Sequence, residues 1–168
     1  MRRMIAPKKA MTIGLILLFG LVFIGCGDDS SDSSASLNPP QKGQFIDGPV
    51  AGLSYSTPTQ DGITDSQGRF NYVEGEAVSF YVGDIFLGGT AAKPIVTPLD
   101  LVGGQATPED AGVTNICRFL ISLDEDGNPD NGIAISAVVN ENAAGFDIDF
   151  ASDVSTFEED PEVRSAID

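Results

Sequence analysis

"GLSYSTPTQDGITDSQGRFNYVEGEAVSFYVGDIFLG", residues 52–88, contains the pattern that decides the fold. Short runs in it alternate apolar and polar residues, and each run places its apolar side chains on one face: Leu53 and Tyr55; Phe70 and Tyr72; Val78, Phe80 and Val82. An alternation with a period of two residues is typical of a β-strand with one buried face. The stretch therefore predicts several short strands of a β-sheet.

Polar turns separate these runs. In "DSQG", residues 65–68, the Asp65 carboxylate can accept a hydrogen bond from the backbone two residues on. Gly68 can adopt the positive φ that the corner requires. Glu74 and Gly75 predict a second turn. The motif "TPLDL", residues 97–101, is expected to end the region, because Pro98 restricts the residue before it to extended geometry.

The order of these segments resembles a known family. The "GITDSQGRF" turn is similar to that of transthyretin-like, or carboxypeptidase-regulatory-like, β-sandwiches. The series from residue 43 to residue 135, through "TPLDL" to "LDEDGNPDNGI", resembles the N-terminal region of large exported lipoproteins and adhesin-like surface proteins of Gram-negative bacteria. The resemblance implies a non-catalytic module, since such sandwiches serve as spacers, stalks and adhesive units. A generic β-sandwich with convergent turns is the alternative.

The fold class that follows is mainly β: a small transthyretin-like or immunoglobulin-like β-sandwich, followed by a short helix and an acidic loop. "TPEDAGVTNICRFLISL", residues 107–123, predicts the helix, with Thr107 as N-cap and Pro108 in the first turn. Its apolar stripe recurs at helical spacing and consists of Val113, Ile116, Phe119, Leu120 and Leu123. Cys117 beside the stripe is interpreted as a buried small apolar residue.

The acidic loop "LDEDGNPDNGI", residues 123–133, is the one candidate for metal binding. Asp124, Asp126, Asn128 and Asp130 bring together the oxygen ligands that Ca²⁺ requires. The fit to an EF-hand is partial, because Ile133 stands where the bidentate glutamate belongs. A calcium site of other geometry and a tight surface turn capped by Asp and Asn both remain open. No cofactor is otherwise required.

The N-terminus has the three parts of a bacterial export signal. A basic segment, "MRRMIAPKK", precedes 14 apolar residues, "MTIGLILLFGLVFI". Fourteen helical residues cover about 20 Å, less than the bilayer core of about 30 Å, so a cleaved signal is favoured over a membrane helix. "FIGC", residues 23–26, resembles a lipobox, although Phe23 departs from the usual Leu. Cys26 is therefore predicted to be acylated, with a disulfide to Cys117 as the alternative.

Charge and composition exclude several classes of function. From Cys26 onward the chain has five Lys and Arg and 25 Asp and Glu, which gives a net charge of −20. Such a surface would repel nucleic acid. The chain contains no histidine, which excludes Ser-His-Asp and Cys-His nucleophiles and histidine-based zinc sites. The expectation of no catalytic activity rests on the resemblance; a small enzyme that uses two carboxylates for acid–base work is a further alternative, and Asp and Glu are too numerous to single out a pair.

The predicted organisation has four parts: a signal peptide over 1–25, the acylated cysteine with a Ser/Asp tether over 26–40, a β-sandwich over 41–101, and a helix, an acidic loop and the start of an α/β region over 102–168. Asp160 and Pro161 open a further helix close to the last residue, which suggests the N-terminal piece of a longer protein. Gly27, not Asp, follows Cys26, and similarity to enterobacterial lipoproteins then favours the outer membrane over the inner one.

The predicted function is that of an exported, membrane-anchored lipoprotein that acts as a non-catalytic surface or envelope module. Its partners would be the lipid bilayer, through acylated Cys26, and an envelope or extracellular protein or polysaccharide. The alternative is an N-terminal accessory domain of a larger exported hydrolase whose catalytic part lies outside this sequence.

Overall fold

Strands and helices follow one another over residues 38–167, which the computed structural model describes. The predicted signal peptide and tether residues 26–37 lie outside the described residues. The strands are β1 Gln41–Phe45, β2 Val50–Ala51, β3 Ser54–Ser56, β4 Asp61–Ile63, β5 Arg69–Tyr72, β6 Ala77–Val82, β7 Ile85–Ala91, β8 Ile95–Val96 and β9 Ile133–Ala134. The helices are α1 Pro98–Val102, α2 Ala111–Ser122, α3 Ala137–Asn142, α4 Val154–Glu159 and α5 Pro161–Ile167, with a 3₁₀ turn at Pro129–Asn131.

Two sheets dominate the described part of the chain. In the first, β1 lies between β5, which is antiparallel to it, and β8, which is parallel. The second has the order β4-β3-β6-β7 with every pair antiparallel. A short parallel pair, β2 with β9, joins the β-region to the segment that follows α2.

Aromatic rings from the two sheets form the centre of the core. The ring centroid of Phe80 on β6 lies 4.9 Å from that of Phe45 on β1 and 5.1 Å from that of Phe70 on β5. All three side chains are buried. The seven apolar residues that the alternation places on one face are likewise all buried. The predicted strand pattern is confirmed.

The predicted turn and the helical stripe are also confirmed. Asp65 Oδ1 accepts hydrogen bonds from the backbone N–H of Gln67 (3.0 Å) and of Arg69 (3.0 Å), and Gly68 has φ 71°. The five stripe residues, four in α2 and Leu123 at its C-cap, are buried. Phe119 of α2 stacks edge-on against Phe150, which in turn contacts Phe157 of α4, each pair with centroids 5.4 Å apart.

The helix start differs from the prediction. α2 begins at Ala111 with Asp110 as N-cap, not Thr107. Asp110 Oδ2 accepts hydrogen bonds from the backbone N–H of Thr107 (2.6 Å) and from its hydroxyl (3.1 Å). The two side chains thus close a separate turn around Pro108, and this turn precedes the helix.

The fold is a mixed α/β domain, and the expectation of a mainly β fold is too narrow. Helices and strands account for similar shares of the described residues. The difference arises after the acidic loop, where three helices (α3, α4 and α5) follow one two-residue strand. Apolar residues from both predicted parts, 41–101 and 102–168, belong to one hydrophobic core that extends from Phe45 to Val163.

Candidate functional site

The predicted acylation site, Cys26, lies outside the described residues, and its modification stays a prediction. Within the described residues, Asn38 to Pro40 are exposed and have no regular structure, and β1 begins directly after them. None of the helices between residues 38 and 167 has the length and apolar character needed to cross a bilayer.

The acidic loop is tied to the sheet at its start. Asp124 Oδ1 accepts a hydrogen bond from the backbone N–H of Ala134 (2.9 Å), and the backbone N–H of Glu125 donates to the Ala134 carbonyl (3.0 Å). Ala134 belongs to β9, which pairs with β2. The carboxylate of Asp124 therefore holds the end of α2 against the β-region.

Asp126 closes the middle of the loop with both of its carboxylate oxygens. Oδ1 accepts from the backbone N–H of Asn128 (2.8 Å) and Oδ2 from the side-chain amide of Asn131 (2.8 Å). These two bonds, the one from Asn131 first, stabilise the charged carboxylate and hold the pKa of Asp126 below its usual value. The carboxylate serves as a turn cap.

The structure does not bring the four predicted calcium ligands together as one set of oxygens. Asn128 contributes backbone groups to the turn: its N–H donates to Asp126 and its carbonyl accepts from Asn131 N–H at 3.2 Å. Asp130 is exposed on the 3₁₀ turn. Among residues 38–167, no three Asp, Glu, Cys or His side chains are placed to share a metal ion. These contacts are those of a tight surface turn, and calcium binding stays a prediction.

Cys117 and Asp47 form a second polar contact, which the sequence did not indicate. The Cys117 thiol adjoins the Asp47 carboxylate, in a cavity of about 370 Å³ with mostly apolar walls: Ile46, Thr97, Pro98, Leu99, Pro108 and Val113. Cys117 is half-buried, less than its predicted burial. Burial first, and then the negative charge of Asp47, raise the pKa of Cys117 to about 12. At neutral pH the thiol is protonated and a poor nucleophile.

The Asp47–Cys117 contact could not be found from sequence, because the two residues lie 70 positions apart in segments with no shared pattern. Only the packing of the 46–48 turn against α2 brings them together. Asp47 Oδ2 is itself buried without a hydrogen-bond partner in the described part of the chain. Its burial prevents a molecule in the cavity from reaching that oxygen.

Searches against protein-family models, curated proteins and solved structures find no match to this chain. The resemblance to exported lipoproteins therefore stays a prediction. What the structure establishes is the fold: a mixed α/β domain with three small sheets and five helices between residues 38 and 167.

Proposed function

We propose that this chain is an exported lipoprotein whose folded domain acts as a non-catalytic binding or structural module of the cell envelope, similar in role to an adhesin. The observation that carries the proposal is "FIGC" at residues 23–26, placed where a short apolar segment with a basic start gives way to serine and aspartate. Several acyl chains on Cys26 would supply the stable anchoring that one chain does not.

The composition after Cys26 supports a tethered arrangement. Residues 27–40 contain five serines, three aspartates and two closing prolines. Such a segment has too few apolar groups to form a core of its own. The net charge of −20 from residue 26 onward opposes direct binding of this part of the chain to an anionic leaflet. Attachment through acyl chains alone fits both properties.

The packing of the two sheets supports a β-sandwich as the structural class of the β-region. Phe45 and Phe70 of one sheet meet Phe80 of the other within 5.1 Å. We extend this to the transthyretin-like type, on the basis of the "TDSQGRF" turn. Sandwiches of that type act as spacers and adhesive units, which agrees with a structural or binding role.

The chemistry of the side chains supports a non-catalytic role. The chain has no histidine, and the Cys117 thiol is kept protonated by burial and by Asp47. A hydrolase screen of the full chain should therefore show no turnover. Activity that disappears after a single carboxylate-to-amide substitution would contradict this part of the proposal.

Metabolic labelling with palmitate tests the anchor. The wild type should incorporate label and stay in the membrane fraction through an alkaline wash. Cys26→Ser should lose both properties. Cys117→Ser is the matched control, since it removes the other cysteine, and it should be labelled like the wild type. Label retained in Cys26→Ser, or absent from the wild type, would refute lipid anchoring.

A further inference from the structure

The outer face of the four-stranded sheet carries an ordered set of side chains. Strand pairing aligns them in two rows across β4, β3, β6 and β7: Ile63, Ser54, Tyr81 and Phe86 in the first row; Asp61, Ser56, Ser79 and Gly89 in the second. Their neighbours along each strand, such as Tyr55 and Phe80, point into the core. Four strands at about 4.8 Å spacing make each row about 14 Å long. We call these eight residues the outer face.

An aromatic pair, exposed Phe86 and half-buried Tyr81, lies at one end of the outer face. The ring centroids of Tyr81 and Phe86 lie 5.3 Å apart with the planes tilted by 46°. Phe86 is 53% exposed. A β-carbon added at Gly89 would lie 3.1 Å from the Ser79 hydroxyl, so the absence of a side chain there leaves this hydroxyl accessible beside the Phe86 ring.

Serine hydroxyls occupy the two middle strands of the outer face, Ser54 and Ser56 on β3 and Ser79 on β6, while Ile63 and Asp61 lie at the β4 edge. The side-chain oxygens of Ser54, Ser56, Ser79 and Tyr81 make no hydrogen bond within the described residues. Other hydroxyls of the domain, such as that of Thr64, are used to hold the backbone. A row of unused hydroxyls next to an exposed ring offers hydrogen bonds and apolar contact to the same ligand.

The charge of the outer face restricts the ligand. Asp61, at the edge, is its one charged residue, and neither row contains Lys or Arg. Anionic polymers, anionic membranes and a second copy of this chain are repelled by the net charge, which is −20 from residue 26 onward. A cationic protein would find many more carboxylates elsewhere on the domain. A neutral polymer meets no such charge penalty.

We propose that the outer face binds a neutral polysaccharide, with a hexose ring on Phe86 and Tyr81 and its hydroxyls on the serines. The C–H groups on one face of a pyranose pack on an aromatic ring, while the hydroxyls around its rim exchange hydrogen bonds with Ser54, Ser56 and Ser79. Asp61 can accept further hydrogen bonds from sugar hydroxyls. This inference rests on the proposed role as a binding module, and is independent of the anchor at Cys26.

Native gel electrophoresis of the full chain in a non-ionic detergent tests the inference. The gels contain one of three neutral polymers (soluble starch, mixed-linkage β-glucan or galactomannan), and a fourth contains anionic polygalacturonate. At least one neutral polymer should retard the protein, and added salt should leave the retardation unchanged. Polygalacturonate should give none.

Substitutions on the outer face locate the binding. Phe86→Ala should weaken the retardation about tenfold, as expected for an aromatic anchor. Tyr81→Phe and Ser79→Ala remove single hydroxyls and should weaken it by a smaller factor. Ile95→Ala is the matched control, because Ile95 is also 53% exposed but lies on β8 of the other sheet. It should behave as the wild type.

Three results would overturn the inference: no retardation by any of the three neutral polymers, equal retardation by polygalacturonate, or an equal loss in Phe86→Ala and Ile95→Ala. Urea midpoints show whether each variant is folded; if Phe86→Ala is not, the two hydroxyl variants decide. Palmitate labelling is measured on the same preparations. If the chain is acylated but no polymer retards it, the proposal of lipid anchoring stands and the proposal of polysaccharide binding is refuted.

Discussion

Single residues hold the "GITDSQG" segment in place, and Thr64 is the clearest case. Its side chain is 4% exposed. The hydroxyl accepts a hydrogen bond from the backbone N–H of Leu53 (3.0 Å) and donates one to the Val50 carbonyl (2.8 Å). The threonine of the "TD" pair therefore supports the chain between β2 and β3, while the aspartate forms the turn.

Replacing Thr64 by valine should lower the free energy of unfolding by about 1–3 kcal/mol, since a buried N–H and a buried C=O lose their partner. Urea denaturation measures the change. Thr64→Ser is the control: it keeps the hydroxyl and loses one methyl group, which costs about 1 kcal/mol. A loss in Thr64→Ser equal to that in Thr64→Val would show that packing, not hydrogen bonding, is the role of this residue.

Asp65 should make the stability depend on pH. Burial would raise the pKa of this carboxyl, but the hydrogen bond from the Arg69 side chain and those from the backbone N–H groups of Arg69 and Gln67 outweigh it and lower the pKa. A folded-state pKa below the unfolded value of about 3.9 stabilises the fold above that pH, and the contribution is lost as the pH falls through the folded-state pKa.

Asp65→Asn should therefore lower the melting temperature near pH 7, and the difference from the wild type should shrink as the pH falls towards about 2. Asn keeps an oxygen that can accept from the two backbone N–H groups, so the variant isolates the charge and its bond to Arg69. Asp130→Asn, on the exposed 3₁₀ turn, is the charge-matched control. A gap between Asp65→Asn and wild type that stays constant with pH would contradict the assignment.

At the scale of elements, the sequence predicted the local structure well. Apolar residues recur every second position in β3, β5 and β6 and at helical spacing in α2, so the buried face of each element could be predicted from the sequence. The start of α2 was predicted wrongly because Asp110, not Thr107, caps it, and both residues are suitable caps. The helix that Asp160 and Pro161 predicted is confirmed as α5, while the short helices α3 and α4 were not predicted.

Contacts between elements were not predictable, and Asn115 shows why. It lies on α2 and is fully buried, and its side-chain amide donates to the carbonyls of Phe150 (3.0 Å) and Ser152 (2.9 Å). Nothing in "VTNICRF" distinguishes this asparagine from an exposed one. The bonds join α2 to a segment 35 residues later in the chain, which has no regular structure of its own.

Asn115→Asp should destabilise the domain strongly at pH 7, by about 3 kcal/mol or more, because it buries a negative charge against two carbonyl oxygens. The introduced carboxyl should have a raised pKa, so its neutral form is favoured and the stability should recover as the pH falls. Asn140→Asp is the matched control, since Asn140 bridges to the Gly52 carbonyl (2.9 Å) but is only partly buried. Equal losses in the two variants would contradict the burial argument.

The acidic loop is the one element whose candidate chemistry the sequence did identify. Interpreted as a calcium site or as a surface turn, the loop should respond differently to CaCl₂ in its melting temperature. If the loop binds Ca²⁺, millimolar CaCl₂ should raise the melting temperature. If the carboxylates of Asp124 and Asp126 only close the turn, as their hydrogen bonds favour, CaCl₂ should act like MgCl₂ at equal ionic strength.

We expect the second result, and we expect Asp126→Asn to lower the melting temperature equally with and without Ca²⁺, because Asn131 and Asn128 lose a charged acceptor in both cases. Differential scanning fluorimetry with both salts measures this. A calcium-specific rise that Asp126→Asn abolishes would establish the metal site in place of the turn.

At the scale of the whole molecule, the strand partners that are distant in sequence could not be predicted, and these pairings determine the architecture. Paired residues of the parallel strands β1 and β8 are 51 positions apart in the sequence, and those of β2 and β9 are 83 positions apart. Two-residue strands carry too little pattern to predict such partners. These pairings bring residues from both predicted regions, 41–101 and 102–168, into one core, which extends to Val163.

The charge of the molecule gives a prediction of its own. Between residues 38 and 167 there are five basic and 21 acidic side chains, a net charge of −16. Three ion pairs occur among these residues, Arg69–Asp65, Lys93–Asp100 and Arg118–Glu158, and all are solvent-exposed enough that each contributes about 0–1 kcal/mol. Repulsion among the remaining acids should therefore outweigh attraction.

Screening that repulsion should stabilise the fold. Between 10 mM and 150 mM NaCl the Debye length falls from about 30 Å to about 8 Å. The melting temperature should rise by roughly 4 °C for each 1 kcal/mol of relieved repulsion, which thermal denaturation at constant pH detects. Choline chloride at equal ionic strength should have the same effect, since screening depends on ionic strength and not on the cation. A melting temperature that falls with salt would mean that the three ion pairs, and not the excess acids, dominate the electrostatics of the domain.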